Sequence, residues 1–255
     1  MENLLFIMGC NTLLSFMYTF IYKSTRIRRK HIKGINLLQI ILTTIVAATY
    51  LLTYISIIYE ISQNKFVRSI YFSDTLFMIS FCVLIAVAFT GLGIHFATKV
   101  IAYHLPSKGE IVRVNKFLHI TLSHLLIYTS LILSLGILAL YEHIHPFVDE
   151  LKGKEVMYIL SLGLVAGGLY GLGFARGRSL SRFYSLLSVL VAGLVFHLTY
   201  PDYKSLPLSI FLFVTLLMIG ITQMVYHILH IKRQIHISDI PAYNNFFNHD
   251  SKRIK

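Results

Sequence analysis

The side chains best suited to chemistry in this chain are its histidines, of which the 255 residues include 12. Neutral imidazole is a ligand for zinc, copper, non-haem iron and haem iron, and it also hydrogen-bonds neighbouring helices. Five of these histidines lie inside long apolar runs, each near the same predicted face of a membrane. They are His95, His119, His124, His227 and His230.

Helical angles predict which of these histidines point in one direction. At about 100° per residue, each of three apolar runs has a polar stripe that contains a histidine, and His124 is displaced by about 140° from the stripe of His119. Polar groups at such depth face a bundle interior or water, so we expect one cavity lined by His95, His119, His227 and His230. The stripes are Ser80, Gly91, His95 and Thr98; Asn115, His119, Ser123, Ser130 and Ser134; and Gly220, Gln223, His227 and His230.

This cavity supports three hypotheses of function. The leading one is a sensory or accessory module that binds a small apolar ligand, a lipid or a metal cofactor and acts through a membrane or cytoplasmic protein partner. The alternatives are a membrane oxidoreductase that holds haem b or non-haem iron, and a small transporter. An interpretation in which the imidazoles only pack or meet interfacial water stays open. The candidate ligands are His95, His119, His124, His227, His230 and Gln223.

No complete catalytic motif accompanies these residues, so whether the chain is an enzyme stays open. The sequence has no Gly-x-Ser-x-Gly elbow and no His-Glu-x-x-His zinc helix. Cys10 and Cys82 lie in apolar runs without the spacing of a disulfide framework or a zinc site.

A second group of possible metal ligands follows the fourth apolar run, at the predicted outer face. His143 and His145 are spaced to take up a divalent metal, and the carboxylates of Asp149 and Glu150 are close in sequence. The alternative is an ordinary amphipathic loop at the membrane interface.

The elements that position these side chains are predicted to be membrane-spanning helices. Hydrophobic residues make up 56% of the chain and charged residues 13%, and the mean hydropathy is +0.69. A soluble domain carries about 25% charged residues. Crossing a bilayer takes about 20 apolar residues, and seven runs qualify, which predicts an all-α seven-transmembrane-helix bundle. The runs are Leu4 to Tyr22, Ile35 to Ile58, Ile70 to Ala97, Phe117 to Leu140, Val156 to Phe174, Tyr184 to Leu198 and Leu206 to Ile231.

Basic residues predict the orientation of this bundle, because lysine and arginine collect in cytoplasmic loops. They concentrate between Lys23 and Lys33, in the third and fifth loops, and in the carboxyl-terminal tail. We therefore expect a multi-pass protein of the cell (inner) membrane with its amino terminus outside and its carboxyl terminus cytoplasmic. Topology and anionic membrane lipid account for the net charge of +12, so nucleic acid is not the expected partner. Residues 1–231 form the predicted transmembrane domain, and residues 232–255 form a short basic cytoplasmic tail.

A row of small residues in the fifth run predicts close helix packing. Gly163, Gly167 and Gly171 recur every four residues, and Ala175 continues the row. Small residues on one stripe let another helix backbone approach closely. We expect the fifth helix to be central in the bundle.

Overall fold

The computed structural model describes residues 1–24, 27, 30–32, 35–64, 73–104, 109–174 and 180–237. Over these residues the chain forms seven helices that are long and apolar enough to cross a membrane. The prediction of a multi-pass, helical membrane protein is confirmed at this level. The helices are α1 (Glu2–Lys23), α2 (Leu37–Ser62), α3 (Asp74–His104), α4 (Glu110–Ile144), α5 (Gly153–Phe174), α6 (Ser181–Thr199) and α7 (Pro207–Ile237).

Several helices continue beyond their apolar runs. Helix α4 begins at Glu110 and ends at Ile144, whereas its apolar run covers Phe117 to Leu140. Hydropathy detects the part of a helix that crosses hydrocarbon, and the backbone hydrogen bonds continue past that part. Two short elements complete the described structure. They are an antiparallel pair of two-residue strands, β1 (His31–Ile32) and β2 (Ile35–Asn36), and a 3₁₀ helix at Tyr200–Ser205.

Helices α2 and α4 each contain a π-helical turn in the half that adjoins the predicted cytoplasmic face. A π turn closes its hydrogen bonds between residues i and i+5, so it holds one more residue than an α-helical turn. Residues on its two sides therefore no longer follow one 100° progression. The turns are Leu42–Val46, between Leu37–Ile41 and Ala47–Ser62, and Leu118–Leu122, between Glu110–Phe117 and Ser123–Ile144.

Helix α7, and not α5, is the most buried helix of the bundle. Of its apolar window 61% is buried, against 39% for α4 and for α5 and 17% for α2 and for α3. Helix α7 packs against α4, α5 and α6, while α3 packs mainly on α4. The expectation of a central α5 was wrong because a row of small residues reports how closely two helices approach, and not how many neighbours surround one of them.

The small-residue row of α5 lies against α7. A Cβ atom added at Gly163 would stand 2.9 Å from Cβ of Val214, and one added at Gly171 would stand 2.6 Å from Cβ of Thr222. At Gly167 the added atom would meet the α7 backbone. Only glycine permits these approaches, so the row holds the α5–α7 contact. Ala175, the predicted fourth member, lies outside the described residues.

A buried carboxylate joins α4 to the first turn of α7. Glu142 is fully buried, and its two oxygens accept hydrogen bonds from the backbone nitrogens of Leu208, at 2.8 Å, and Ser209, at 2.6 Å. The first backbone N–H groups of a helix have no partner within that helix, and a negative charge beside them is favourable. Glu142 therefore caps the central helix from a neighbouring one.

Candidate functional site

Three of the predicted histidines form one cluster between α3 and α4. The ring centroid of His95, on α3, lies 4.2 Å from that of His119 and 5.1 Å from that of His124, both on α4. The centroids of His119 and His124 are 5.9 Å apart. All three side chains are partly buried. We call His95, His119 and His124 the histidine triad.

The π turn of α4 brings His124 into this triad. On a continuous α-helix, the five residues from His119 to His124 turn the side chain through about 140°, which is the displacement predicted above. His119 lies inside the π turn Leu118–Leu122, and His124 follows that turn directly. Because the wider turn returns residue i+5 to nearly the same side, both imidazoles face α3. The predicted displacement of His124 was therefore wrong.

Two hydroxyl groups fix the proton positions on two of the rings. The Ser123 hydroxyl donates its one hydrogen to the carbonyl of His119, so it acts as an acceptor for Nδ1 of His95, 3.3 Å away. The Thr98 hydroxyl donates to the carbonyl of Ile94, at 2.7 Å, and accepts from Nδ1 of His119, at 3.0 Å. Both neutral rings therefore carry hydrogen on Nδ1, which leaves the lone pair on Nε2.

Close approach of the helices sets these distances. A Cβ atom added at Gly91, one turn before His95, would stand 2.8 Å from Cγ1 of Ile127 and 3.0 Å from the carbonyl of Ser123. Nearer the end of α3, the Asn115 side-chain amide donates to the carbonyl of Thr98 over 3.0 Å. Gly91 and Asn115 thus hold α3 against α4 on both sides of the triad.

The electrostatic environment of the triad is cationic. Lys99 follows His95 by one helical turn, is exposed, and lies close enough to act electrostatically on all three imidazoles. No carboxylate among the described residues acts on these rings in the same way. Lys99 follows the apolar run Ile70 to Ala97, so its charge is grouped with the third loop when only the sequence is considered, although its spacing from His95 places both residues on one helix face.

Aromatic rings extend from the triad into the bundle. The Tyr128 ring stacks on His124, with centroids 5.3 Å apart, and on Phe174 of α5, at 4.2 Å. The Tyr184 ring of α6 meets Tyr128 edge-on at 5.4 Å. These contacts connect the triad on α3 and α4 with aromatic rings of α5 and α6.

The candidates on α7 do not join the triad. His227 accepts a hydrogen bond from Nε of Arg182, at the start of α6. Gln223 is fully buried, and its Nε2 donates to the carbonyl of Gly171 over 2.6 Å. The polar stripe of α7 thus faces α5 and α6. The prediction of a common cavity failed here because a polar stripe indicates that a helix face is buried and does not identify the helix that covers it. His230 is helical, but its side chain lies outside the described part of the chain.

The outer candidates are also separated. His143 lies in the last turn of α4 and not in a loop, because that helix continues to Ile144. His145 is buried, and its Nε2 lies 2.8 Å from Oδ1 of Asp74, at the start of α3. Asp149 and Glu150 are exposed. His145 therefore ties the end of α4 to α3.

The described residues contain no group of three or more His, Cys, Asp or Glu side chains arranged to hold a metal ion. A haem between two axial imidazoles requires ring centres about 6 Å apart, because each metal–nitrogen bond is about 2 Å long. The 4.2 Å between His95 and His119 and the 5.1 Å between His95 and His124 leave no space for a porphyrin between rings of different helices. The rings of His119 and His124 are 5.9 Å apart, but both extend from the same side of α4, so they do not face each other across a porphyrin plane. The geometry instead favours hydrogen-bond donors as ligands for the two Nε2 lone pairs.

No protein-family model, curated protein or solved structure matches this chain.

Proposed function

We propose that this protein binds the headgroup of a hydroxyl-bearing anionic phospholipid at the histidine triad and Lys99, as a sensory or accessory module of the cell (inner) membrane. Phosphatidylglycerol is the representative ligand. The observation that carries the proposal is the pair of Nε2 lone pairs beside a lysine, in a cluster on which no described carboxylate acts.

The chemistry of the headgroup matches these groups one by one. Hydroxyls of a glycerol headgroup donate hydrogen bonds, which the Nε2 atoms of His95 and His119 accept. The phosphodiester carries one negative charge, which the Lys99 ammonium attracts. A headgroup without hydroxyls gives the two Nε2 lone pairs no hydrogen-bond donor. A headgroup without net charge is attracted less strongly by the Lys99 ammonium.

The outer surface of α4 beside the triad suits acyl chains. Ile111, Val114 and Phe117 are exposed by 67%, 52% and 56%, and their spacing of three residues aligns them on one side of Glu110–Phe117. Exposed apolar side chains next to a polar pocket offer the two environments that a phospholipid requires.

The proposed orientation puts the triad in the cytoplasmic leaflet, with the amino terminus outside. Lys116 and Arg113 lie on the helix end next to the triad, and both are exposed. Basic pockets between helices on the cytoplasmic side bind anionic headgroups. We propose that the adjoining loops pass the state of the site to a protein partner.

Lipid selectivity tests the proposal. The purified protein is transferred to phosphatidylcholine nanodiscs, and bound phosphatidylglycerol is quantified by native mass spectrometry against phosphatidylethanol, an anionic phosphodiester whose headgroup has no hydroxyl. We expect phosphatidylglycerol to bind more tightly than either other lipid. Loss of a hydrogen bond or of the charge contact weakens binding by about tenfold.

Three variants make this test specific. His119→Leu removes one acceptor and should reduce the preference for phosphatidylglycerol over the anionic lipid without headgroup hydroxyls. Lys99→Gln removes the exposed cation and should weaken the binding of both anionic lipids relative to phosphatidylcholine. His197→Leu alters an exposed histidine on α6 and is the matched control. Equal binding of the three lipids, or equal loss in all three variants, contradicts the proposal. A Soret band or stoichiometric iron in the purified protein would favour an oxidoreductase instead.

A further inference from the structure

One side of α6 has an apolar middle and a polar side chain at each end. Tyr200 follows Arg182 by 18 residues, and its backbone is still helical. At about 100° per residue this spacing makes five full turns, so both residues lie on the same side of the helix. Leu186, Leu190 and Gly193 lie between them, within about 80° of the same line. We call these five residues the outward face of α6.

The rest of the bundle leaves the outward face uncovered. Leu186 and Leu190 are exposed by 61% and 62%, and Tyr200 by 70%. A Cβ atom added at Gly193 would meet no described atom within 4 Å. On a membrane-spanning helix, such a face contacts either acyl chains or another helix, and rows of small residues favour the helix. The large leucines of this face favour acyl chains.

The length of the outward face matches one hydrocarbon layer. At about 1.5 Å per residue, Tyr200 stands about 27 Å from Arg182 along the helix. The hydrocarbon core of a bilayer is about 30 Å thick. Tyrosine rings concentrate at the headgroup level, and long basic side chains at helix ends extend to it. Both polar ends are thus placed where a bilayer has its two interfaces.

The chain fixes the position of Tyr200 at its end of α6. Pro201 has no backbone N–H, so α6 ends at Thr199 and the chain turns into the 3₁₀ helix. The Tyr200 ring packs on Phe196, with centroids 5.5 Å apart, and Phe196 packs on Phe213 of α7 at 5.3 Å. Tyr200 is therefore exposed on one side and supported on the other.

Helices α4 and α6 run in the same direction. Just beyond their ends, the backbone nitrogen of Phe147 donates to the carbonyl of Ser205 over 3.0 Å. Nearer their other ends, the Tyr184 ring of α6 meets Tyr128 of α4 edge-on at 5.4 Å. Distances along α6 therefore also measure depth along α4.

This register relates Tyr200 to the histidine triad. Tyr184 precedes Tyr200 by 16 residues, or about 24 Å along the helix. On α4, His124 precedes Tyr128 by four residues, or about 6 Å in the same direction. His124 is thus about 30 Å from the level of Tyr200, which is again one hydrocarbon thickness.

We infer that the outward face of α6 is a contact surface for the acyl chains of the surrounding bilayer, with Tyr200 in one headgroup layer. This contact places the histidine triad at the opposite headgroup layer. The inference does not depend on the lipid ligand proposed for the triad, because it concerns a different surface and a different test.

Tryptophan fluorescence measures these depths, since the chain has no tryptophan of its own. Tyr200→Trp, Leu190→Trp and Leu186→Trp are each reconstituted into vesicles of phosphatidylcholine whose acyl chains carry bromine, a short-range quencher, close either to the headgroup or to the bilayer centre. Leu190 is about 15 Å from Tyr200 along the helix, which is half the hydrocarbon thickness. All three positions are exposed, so the larger ring has space.

We expect bromine at the bilayer centre to quench Leu190→Trp more than bromine near the headgroup does, and the opposite order for Tyr200→Trp. Leu186→Trp should give an intermediate ratio, because its position is about 6 Å beyond Leu190. Weak quenching of all three variants by both lipids would mean that protein covers this face, and it overturns the inference. The same ratio at all three positions, or strongest central quenching at Tyr200→Trp or Leu186→Trp, also overturns it.

Discussion

Replacing Gly91 by alanine tests whether helix approach sets the geometry of the triad. The added Cβ atom would lie 2.8 Å from Cγ1 of Ile127, 2.9 Å from Cβ of Leu126 and 3.0 Å from the carbonyl of Ser123. Ordinary contacts begin near 3.4 Å. Helices α3 and α4 must therefore separate locally by about 0.5 Å.

This separation acts on the hydrogen bond that orients His95. The distance from Nδ1 of His95 to Oγ of Ser123, now 3.3 Å, would grow to about 3.8 Å, which is beyond hydrogen-bonding range. Loss of one such bond costs about 0.5–1.5 kcal/mol. Without it, Nδ1 no longer holds the proton reliably, and Nε2 loses its role as an acceptor. Binding of phosphatidylglycerol should fall about two- to tenfold.

Gly93→Ala is the control for this experiment. Position 93 lies on the same helix, and an added Cβ atom there would meet nothing within 4 Å. Both variants gain about 1 kcal/mol of helix propensity, so their difference isolates the steric effect. We expect Gly91→Ala to be less stable than Gly93→Ala by about 1–3 kcal/mol, measured by unfolding in sodium dodecyl sulfate. Equal stability and equal lipid binding of the two variants would refute the reasoning.

Three further predictions concern packing, capping and topology. Gly167→Ala should destabilise the α5–α7 contact by about 1–3 kcal/mol relative to Gly168→Ala, where an added Cβ atom has open space; matched unfolding curves would contradict this. Glu142→Gln should cost about 1–3 kcal/mol, because an amide replaces one of the two acceptors of the α7 cap, while loss of the exposed Glu150 carboxylate should change thermal stability little. A cysteine introduced at Lys204 should react with an impermeant maleimide from outside intact cells and one at Lys116 should not, in a background without the native cysteines; the reverse pattern would invert the proposed topology.

The seven helices were predictable because apolar length is a property of sequence alone. Hydropathy located each run, but it missed the polar ends of helices such as α4, which continues to Ile144 through the buried Glu142. A carboxylate just after an apolar run is assigned to a loop by hydropathy, because its hydrogen-bond partners on α7 are not visible in the local sequence. Burial of Glu142 depends on a contact across 66 residues, which no local pattern encodes.

The site was predictable in part. Helical angles correctly associated His95 with His119 through their polar stripes, and the structure places their rings 4.2 Å apart. The same angles separated His124, because they assume an unbroken α-helix and the sequence carries no signal of the π turn. They also assigned His227 to a common cavity, since equal depth on two helices does not specify that their side chains face each other. His227 contacts Arg182 of α6, although α7 also packs against α4.

The π turn of α4 also has a consequence for how this helix tolerates insertions and deletions. Removing one residue between Leu118 and Leu122 would restore uniform α-helical winding and rotate the preceding segment by about 100°. Asn115 would then leave its contact with the carbonyl of Thr98 on α3, although removal of Thr121 would keep every hydrophobic residue of the span in the sequence. The rotation of Glu110–Phe117 about the axis of α4 thus depends on the number of residues in the π turn and not on their types. Inserting one residue in the same turn should restore it.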